Sequence, residues 1–166
     1  MANVKISALT ELTTPAAGDY IPIVDISEAA DADKTKRVTL GTLHFPVFLT
    51  SPLTSTSWDG DGFSTKAKTL IDLSSVFSAP AGIKAVLIQA IVRDSASASG
   101  DYRLILAPNN TAVEGLVAQA AYTTNDNWQS HMLTVPCDAN GDIYYQISAS
   151  GSGTFDVILQ IWGYWL

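Results

Sequence analysis

The segment Phe155-Asp156-Val157-Ile158-Leu159-Gln160-Ile161-Trp162 constrains the fold more than any other feature of the chain, because its odd-numbered positions are uniformly apolar while Asp156 and Gln160 take the other register. Period two of this kind is the signature of a strand with one buried face, and it assigns Phe155, Val157, Leu159 and Ile161 to a core. The pattern recurs along the chain from Phe45 onward. Strands are expected over 45–49, 68–73, 83–93, 101–107, 116–123, 129–135, 142–148 and 154–165. Turn formers separate them: Asp59-Gly60-Asp61-Gly62, Pro80-Ala81-Gly82, Ser95 to Gly100, Pro108-Asn109-Asn110, Asp138-Ala139-Asn140-Gly141 and Ser150-Gly151-Ser152-Gly153. Many short strands broken by turns argue for a sandwich or a barrel, not a parallel α/β sheet, and the expected fold class is an all-β, antiparallel, jelly-roll-like sandwich preceded by a short extended arm. The stretch 83–92 is apolar on both faces and belongs at the centre of a sheet. Alanines and Leu116 lend 113–121 some helical character, yet Gly115 and the Thr/Tyr ending favour a strand.

Ahead of residue 45 the chain has a different character. Apolar residues are sparse and lie between Pro15-Ala16-Ala17-Gly18-Asp19 and the acidic run Glu28 to Asp33. Two short extended pieces stand out, Tyr20 to Ile26 and Lys36 to Leu40; Pro22 cannot donate to a ladder, so the first reads as an edge or isolated strand. Ordering each residue costs on the order of 1–2 kcal/mol, and this segment has little of its own to bury in return. The expected division is therefore an N-terminal arm, 1–45, and a sandwich domain, 46–166, with oligomerisation supplying the burial the arm lacks. Tyr20, Ile21, Pro22, Ile23 and Val24 are the attachment-interface candidates, a short extended stretch suited to strand addition.

Composition narrows the function. The 166 residues are 47% hydrophobic and only 15% charged, against about 25% charged in typical soluble proteins, which argues against disorder and points to apolar surface covered by a partner. Nine Lys and Arg stand against sixteen Asp and Glu, a net charge of −7; phosphate contacts need cations, so neither nucleic-acid binding nor an anionic membrane surface is expected. The longest apolar stretch, Ala85 to Val92, is interrupted by Gln89, and the N-terminus shows no secretory h-region. Cys137 is the single cysteine, so an internal disulfide is excluded, and it reads as a small buried hydrophobe.

No enzyme motif is present. The sequence has no phosphate-binding glycine loop and no Gly-x-Ser-x-Gly elbow. His44 and His131 lack second ligands at metal spacing, and His131, alternating with Met132, reads as a structural histidine. Aligning Gly62 with the glycine of a calcium loop puts Lys68 where a bidentate Glu is required. Asp138, Asn140 and Asp142 around Gly141 read as a hairpin turn. No catalytic residue, cofactor or metal is expected. The remaining functional candidates are aromatic: Trp58, Trp128, Trp162, Tyr164 and Trp165 are oligomer- or glycan-contact candidates, since flat rings serve either as interface anchors or as stacking platforms.

Lys5-Ile6-Ser7-Ala8-Leu9-Thr10-Glu11-Leu12, then Thr14-Pro15-Ala16-Ala17-Gly18-Asp19-Tyr20-Ile21-Pro22-Ile23-Val24-Asp25, then Ala32-Asp33-Lys34-Thr35-Lys36-Arg37-Val38-Thr39-Leu40, together resemble an N-terminal module of tailed-bacteriophage virion proteins. In that family the module precedes varied C-terminal domains in head fibres, tail fibres and related appendages. The resemblance covers residues 4 to 43; Pro80 to Val86 and the ending Ile161 to Leu166 are similar only in style to sandwiches that close such fibres. It implies a homotrimeric head fibre or capsid-decorating protein, assembled in the host cytoplasm and located in the virion. Such a protein has other capsid or tail proteins as partners and no catalytic residues, nucleic-acid partner or membrane insertion. The alternative expectation is a carbohydrate-binding, host-adhesion module of a tail fibre, with a host-surface glycan as partner.

Overall fold

Alternating burial organises the longest strands. A computed structural model describes residues 20–24, 35–39, 45–97, 100–111, 115–121 and 125–166. The chain divides into two compact units, Met1–His44 and Phe45–Leu166.

In the first unit, β1 (Tyr20–Val24) and β2 (Thr35–Thr39) form a two-stranded antiparallel sheet, with Tyr20 opposite Thr39, Pro22 opposite Arg37 and Val24 opposite Thr35. His44 and most of the segment carrying the phage resemblance lie outside the described residues.

The second unit is an antiparallel β-sandwich. Its strands are β3 (Pro46–Leu53), β4 (Asp59–Phe63), β5 (Lys66–Ile71), β6 (Ala85–Asp94), β7 (Arg103–Ala107), β8 (Leu116–Gln119), β9 (Gln129–Pro136), β10 (Ile143–Ser148) and β11 (Phe155–Trp165). One sheet has the order β3-β11-β6-β9, with β4 also on β11; the other has the order β5-β10-β7-β8. Successive strands cross between sheets, apart from the β3–β4 and β7–β8 steps, and the resulting pair of interleaved Greek keys is a jelly roll. The region 116–119 is a strand, as its Gly115 and Thr/Tyr flanks suggest.

The cores of the two central strands follow from their sequences. On β6, Val86, Ile88, Ala90 and Val92 are buried; on β11, Phe155, Val157, Leu159 and Ile161 are buried; β6 lies between β11 and β9. The facing sheet contributes Leu104 and Leu106, and Ile143, Tyr145 and Ile147. The C-terminal strand is the best paired of all, with β6 along one side and β4 and then β3 along the other.

Two local expectations are corrected. Asp59 to Gly62 is part of β4, not a turn: Gly62 pairs with Asp156 and Phe63 with Phe155. The segment has no apolar alternation because its close neighbour is backbone. A Cβ on Gly62 would lie 2.3 Å from the Gly153 carbonyl oxygen, so only glycine fits. The strand expected over 68–73 ends at Ile71, where the Asp72 carboxylate accepts from the Ser75 N–H and caps a short helix, α1 (Leu73–Phe77).

Candidate binding face

With even-numbered β6 side chains from Val86 to Val92 pointing inward, Leu87, Gln89, Ile91 and Arg93 lie on the outer face of the β3-β11-β6-β9 sheet. The ladders bring Asp156, Ile158 and Gln160 of β11 beside them, and Ser130, Met132 and Thr134 of β9. A register shift between Ile161 and Gly163 inserts Trp162 as an extra residue, so Trp162 shares the outer face and Tyr164, opposite Val86, turns inward. Trp162 Nε1–H donates to Gln89 Oε1 at 3.0 Å, and the Gln89 amide donates to Ser130 Oγ at 3.0 Å. This chain of side chains crosses three strands and fixes the rotamers between them.

At one end of the face stands Trp128, just before β9. The Arg93 guanidinium carbon lies 4.5 Å from the centre of its ring. Arg93 is itself anchored twice, from Nε to Asp156 Oδ2 at 2.6 Å and from Nη1 to Asp126 Oδ1 at 2.7 Å. Trp128 is nonetheless 38% exposed. Asn125, Asp126 and Asn127 beside it are exposed, and Asp126 adopts a left-handed φ of 61°.

The same end of the sandwich is closed by Asp94, which is buried at the end of β6. Its carboxylate accepts from the Ala96 and Ser97 N–H groups, and from the N–H and hydroxyl of Ser150 in the β10–β11 connection. Burial pushes this carboxyl up, but the Ser150 and backbone donors together outweigh it and hold the group below the ordinary carboxylate value. The opposite end, where β3 begins and β11 finishes, carries an apolar cluster: Phe45, Phe48 and Leu166 are exposed and Trp165, opposite Pro46, is half-buried, with exposed Lys84 donating its backbone N–H to the Trp165 carbonyl.

The five aromatic candidates therefore separate. Trp128, Trp162 and Trp165 lie on the outer face. Trp58 is a core residue, 5% exposed, stacked on Phe63 at 4.8 Å and edge-on to Tyr145 at 4.8 Å; it is corrected from contact candidate to core. Tyr164 is corrected likewise, being half-buried and packed against the core. Tyr20, Ile21, Pro22, Ile23 and Val24 all lie in β1.

The other sequence candidates have local explanations. His131 Nε2–H donates to the Gln119 carbonyl at 3.0 Å, tying β9 to β8 across the sandwich. Asp138 Oδ1 accepts from the Asn140 and Asp142 N–H groups, and Asp142 Oδ1 accepts from the Leu73 N–H, so these carboxylates build a turn and dock α1. Among the described residues no three His, Cys, Asp or Glu side chains converge on a common point. Burial raises the Cys137 thiol to about 12, aided by Asp138 and Asp142, which leaves it unsuited to nucleophilic work.

Sequence reasoning did not single out Arg93 or Asp126. The available signal was Arg93 itself, a cation at the end of an otherwise apolar strand, whose outward register matches that of Asp156. No protein-family model matches the chain, and no curated protein matches it significantly.

Proposed function

We propose that the chain is a structural protein of a tailed-phage particle, a homotrimeric head fibre or capsid-decorating protein that docks through its first 45 residues and holds its jelly roll outward. The observation that carries this reading is the resemblance of residues 4 to 43 to the N-terminal module of phage appendage proteins. The separation of the chain after His44 supports it, since a docking element and a display domain call for two units. The jelly roll supports it too, being an architecture that capsid and lectin domains share. Trimer contacts fall to the end of the sandwich where Phe45, Phe48, Trp165 and Leu166 gather beside Lys84, an apolar cluster of the kind that anchors oligomer interfaces. The protein has no catalytic role in this reading.

Immunogold electron microscopy of intact particles with antibodies against the sandwich tests the proposal. Labelling of the head or tail surface, with light scattering giving three chains per soluble particle, is the expected result; absence of the protein from purified virions overturns it.

The second reading, a host-adhesion module for carbohydrate, is favoured by one specific observation, the exposed and braced Trp128.

A further inference from the structure

We infer that the outer face of the β3-β11-β6-β9 sheet, from Trp128 to Trp162, binds a neutral oligosaccharide. Sugar rings present a C–H face that packs on an aromatic plane and hydroxyls that need planar, two-way hydrogen-bonding partners around it. The face supplies both. Trp128 is partly exposed and its ring is held by Arg93, and Arg93 cannot swing away because two carboxylates fix it. A ring immobilised in advance loses little freedom when a ligand stacks on it. Gln89, Gln160 and Ser130 follow along the same face, with Gln89 already oriented by Trp162 and Ser130.

The two rings meet β6 at Arg93 and at Gln89, four residues apart and so about 13 Å along the strand. That span suits several linked sugars, so affinity should rise with chain length. The electrostatics choose the class. Arg93 is matched by Asp126 and Asp156, leaving no free cation in the cluster, and the chain carries −7 overall. An anionic glycan would be repelled, whereas a neutral one meets amides, a hydroxyl and aromatic faces.

A protein partner fits this part of the face less well. Interface centres are depleted of charge, while Trp128 sits among Arg93, Asp126, Asp156, Asn125 and Asn127. Exposed apolar side chains lie further along, Met132 opposite Gln89 and Phe48 opposite Gly163 beside Trp162, so it is the charged Trp128 end that suits a sugar over a protein partner. The inference rests on the second reading above, that of a carbohydrate-binding module, and not on the phage assignment.

The test is titration of the full-length, isotope-labelled protein with cellohexaose, maltohexaose and mannohexaose at millimolar concentration, following the tryptophan indole N–H resonances. At least one hexasaccharide should shift the Trp128 and Trp162 signals and leave that of buried Trp58 unmoved, with the matching disaccharide binding more weakly. Trp128→Ala should weaken binding by about tenfold or more, the order expected for truncating an aromatic anchor, and Trp128→Phe should retain part of it. Circular dichroism confirms that both variants fold. The inference is overturned if no hexasaccharide shifts either resonance, if Trp128→Ala leaves the shifts intact, or if only an oligogalacturonate binds. A change of oligomeric state on Trp128→Ala, in place of lost sugar binding, would make the face a protein interface.

Discussion

Arg93 and Asp156 stand opposite each other in the β6–β11 ladder, and the guanidinium Nε donates to Asp156 Oδ2 at 2.6 Å although that carboxylate residue is only 7% exposed. A buried carboxylate on the outer face of a sheet exists because a cation lies over it. The same cation orients Trp128, so one pair links the packing of two central strands to the display of an exposed ring.

Removing Arg93 should therefore destabilise the fold more than the exposure of its own side chain suggests. Arg93→Ala strands the Asp156 charge, and a loss of about 2–3 kcal/mol is expected, somewhat below the range for fully buried pairs. The double variant Arg93→Met with Asp156→Leu should lose only about 1 kcal/mol, because no charge is left without a partner. Urea denaturation of the single and double variants, read as a thermodynamic cycle, checks both numbers.

Asp94 gives the fold an acid-sensitive clasp. Burial raises its carboxyl, but the Ser150, Ala96 and Ser97 donors lower it by more, so the folded value lies below the unfolded one. A depressed carboxylate contributes stability that is complete above its unfolded value of 3.8 and is lost as pH falls through the lower folded value. Asp72, lowered by the Ser75 N–H and the Ser74 hydroxyl, acts in the same direction. Asp94→Asn should cost about 1–3 kcal/mol at neutral pH and flatten the fall in stability below about pH 4. Chemical denaturation across pH 2–7 measures both effects, and an unchanged acid slope would remove Asp94 from this role.

Much of this architecture was legible in the sequence, for a physical reason. Phe155, Val157, Leu159 and Ile161 fill one face of a strand, and burial of that face leaves a periodic trace. The strand β4 left no such trace, because Gly62 lies where backbone approaches backbone and Gly60 takes a φ of 118°, constraints that select for lack of a side chain. From the sequence Trp58 reads as a contact residue, because composition does not say which way a tryptophan faces. A 3-10 turn at Thr56–Trp58, capped by Ser55, directs it inward. The cluster around Trp128 draws on residues far apart in sequence, and no local spacing announces a guanidinium shared by Asp126 and Asp156.

The contrast between tryptophans is measurable. Trp58→Ala removes a ring packed on Phe63 and Tyr145 and should cost about 3–5 kcal/mol, the usual range for emptying a large core site. Trp128→Ala removes an exposed ring with one cation contact and should cost no more than about 1 kcal/mol. Thermal unfolding of the two variants ranks them, and equal losses would contradict the placement of either ring.

Cys137 should be chemically quiet in the native protein. Burial, with Asp138 and Asp142 nearby, holds the thiol at about 12, so almost no thiolate exists at neutral or mildly alkaline pH. Iodoacetamide should label it slowly at pH 8 and rapidly once denaturant unfolds the chain. Mass spectrometry over a urea series should place the onset of labelling at the unfolding transition.

The last prediction concerns what each unit does. Among the described residues the buried apolar core runs from Trp58 to Ile161 and belongs wholly to the second unit. Residues 45–166 should therefore fold alone, with a midpoint within about 5 °C of the full chain, a shift corresponding to roughly 1 kcal/mol. In the first unit, β1 pairs with β2, and addition of a partner's strand to this small sheet is the docking mode expected of the arm. Pro22 removes one donor from that strand, while Ile21, Ile23 and Val24 supply β-branched residues suited to an added ladder. Replacing Ile21 and Val24 together with Asp should abolish incorporation into phage particles while leaving the main thermal transition unchanged. Co-purification of the variant with virions, scored by immunoblot beside calorimetry of the soluble protein, separates the two effects. If residues 45–166 do not fold without the first unit, the two are energetically one domain. If the double variant still enters particles, docking uses another surface, and the apolar cluster formed by Phe45, Phe48 and Leu166 becomes the next to alter.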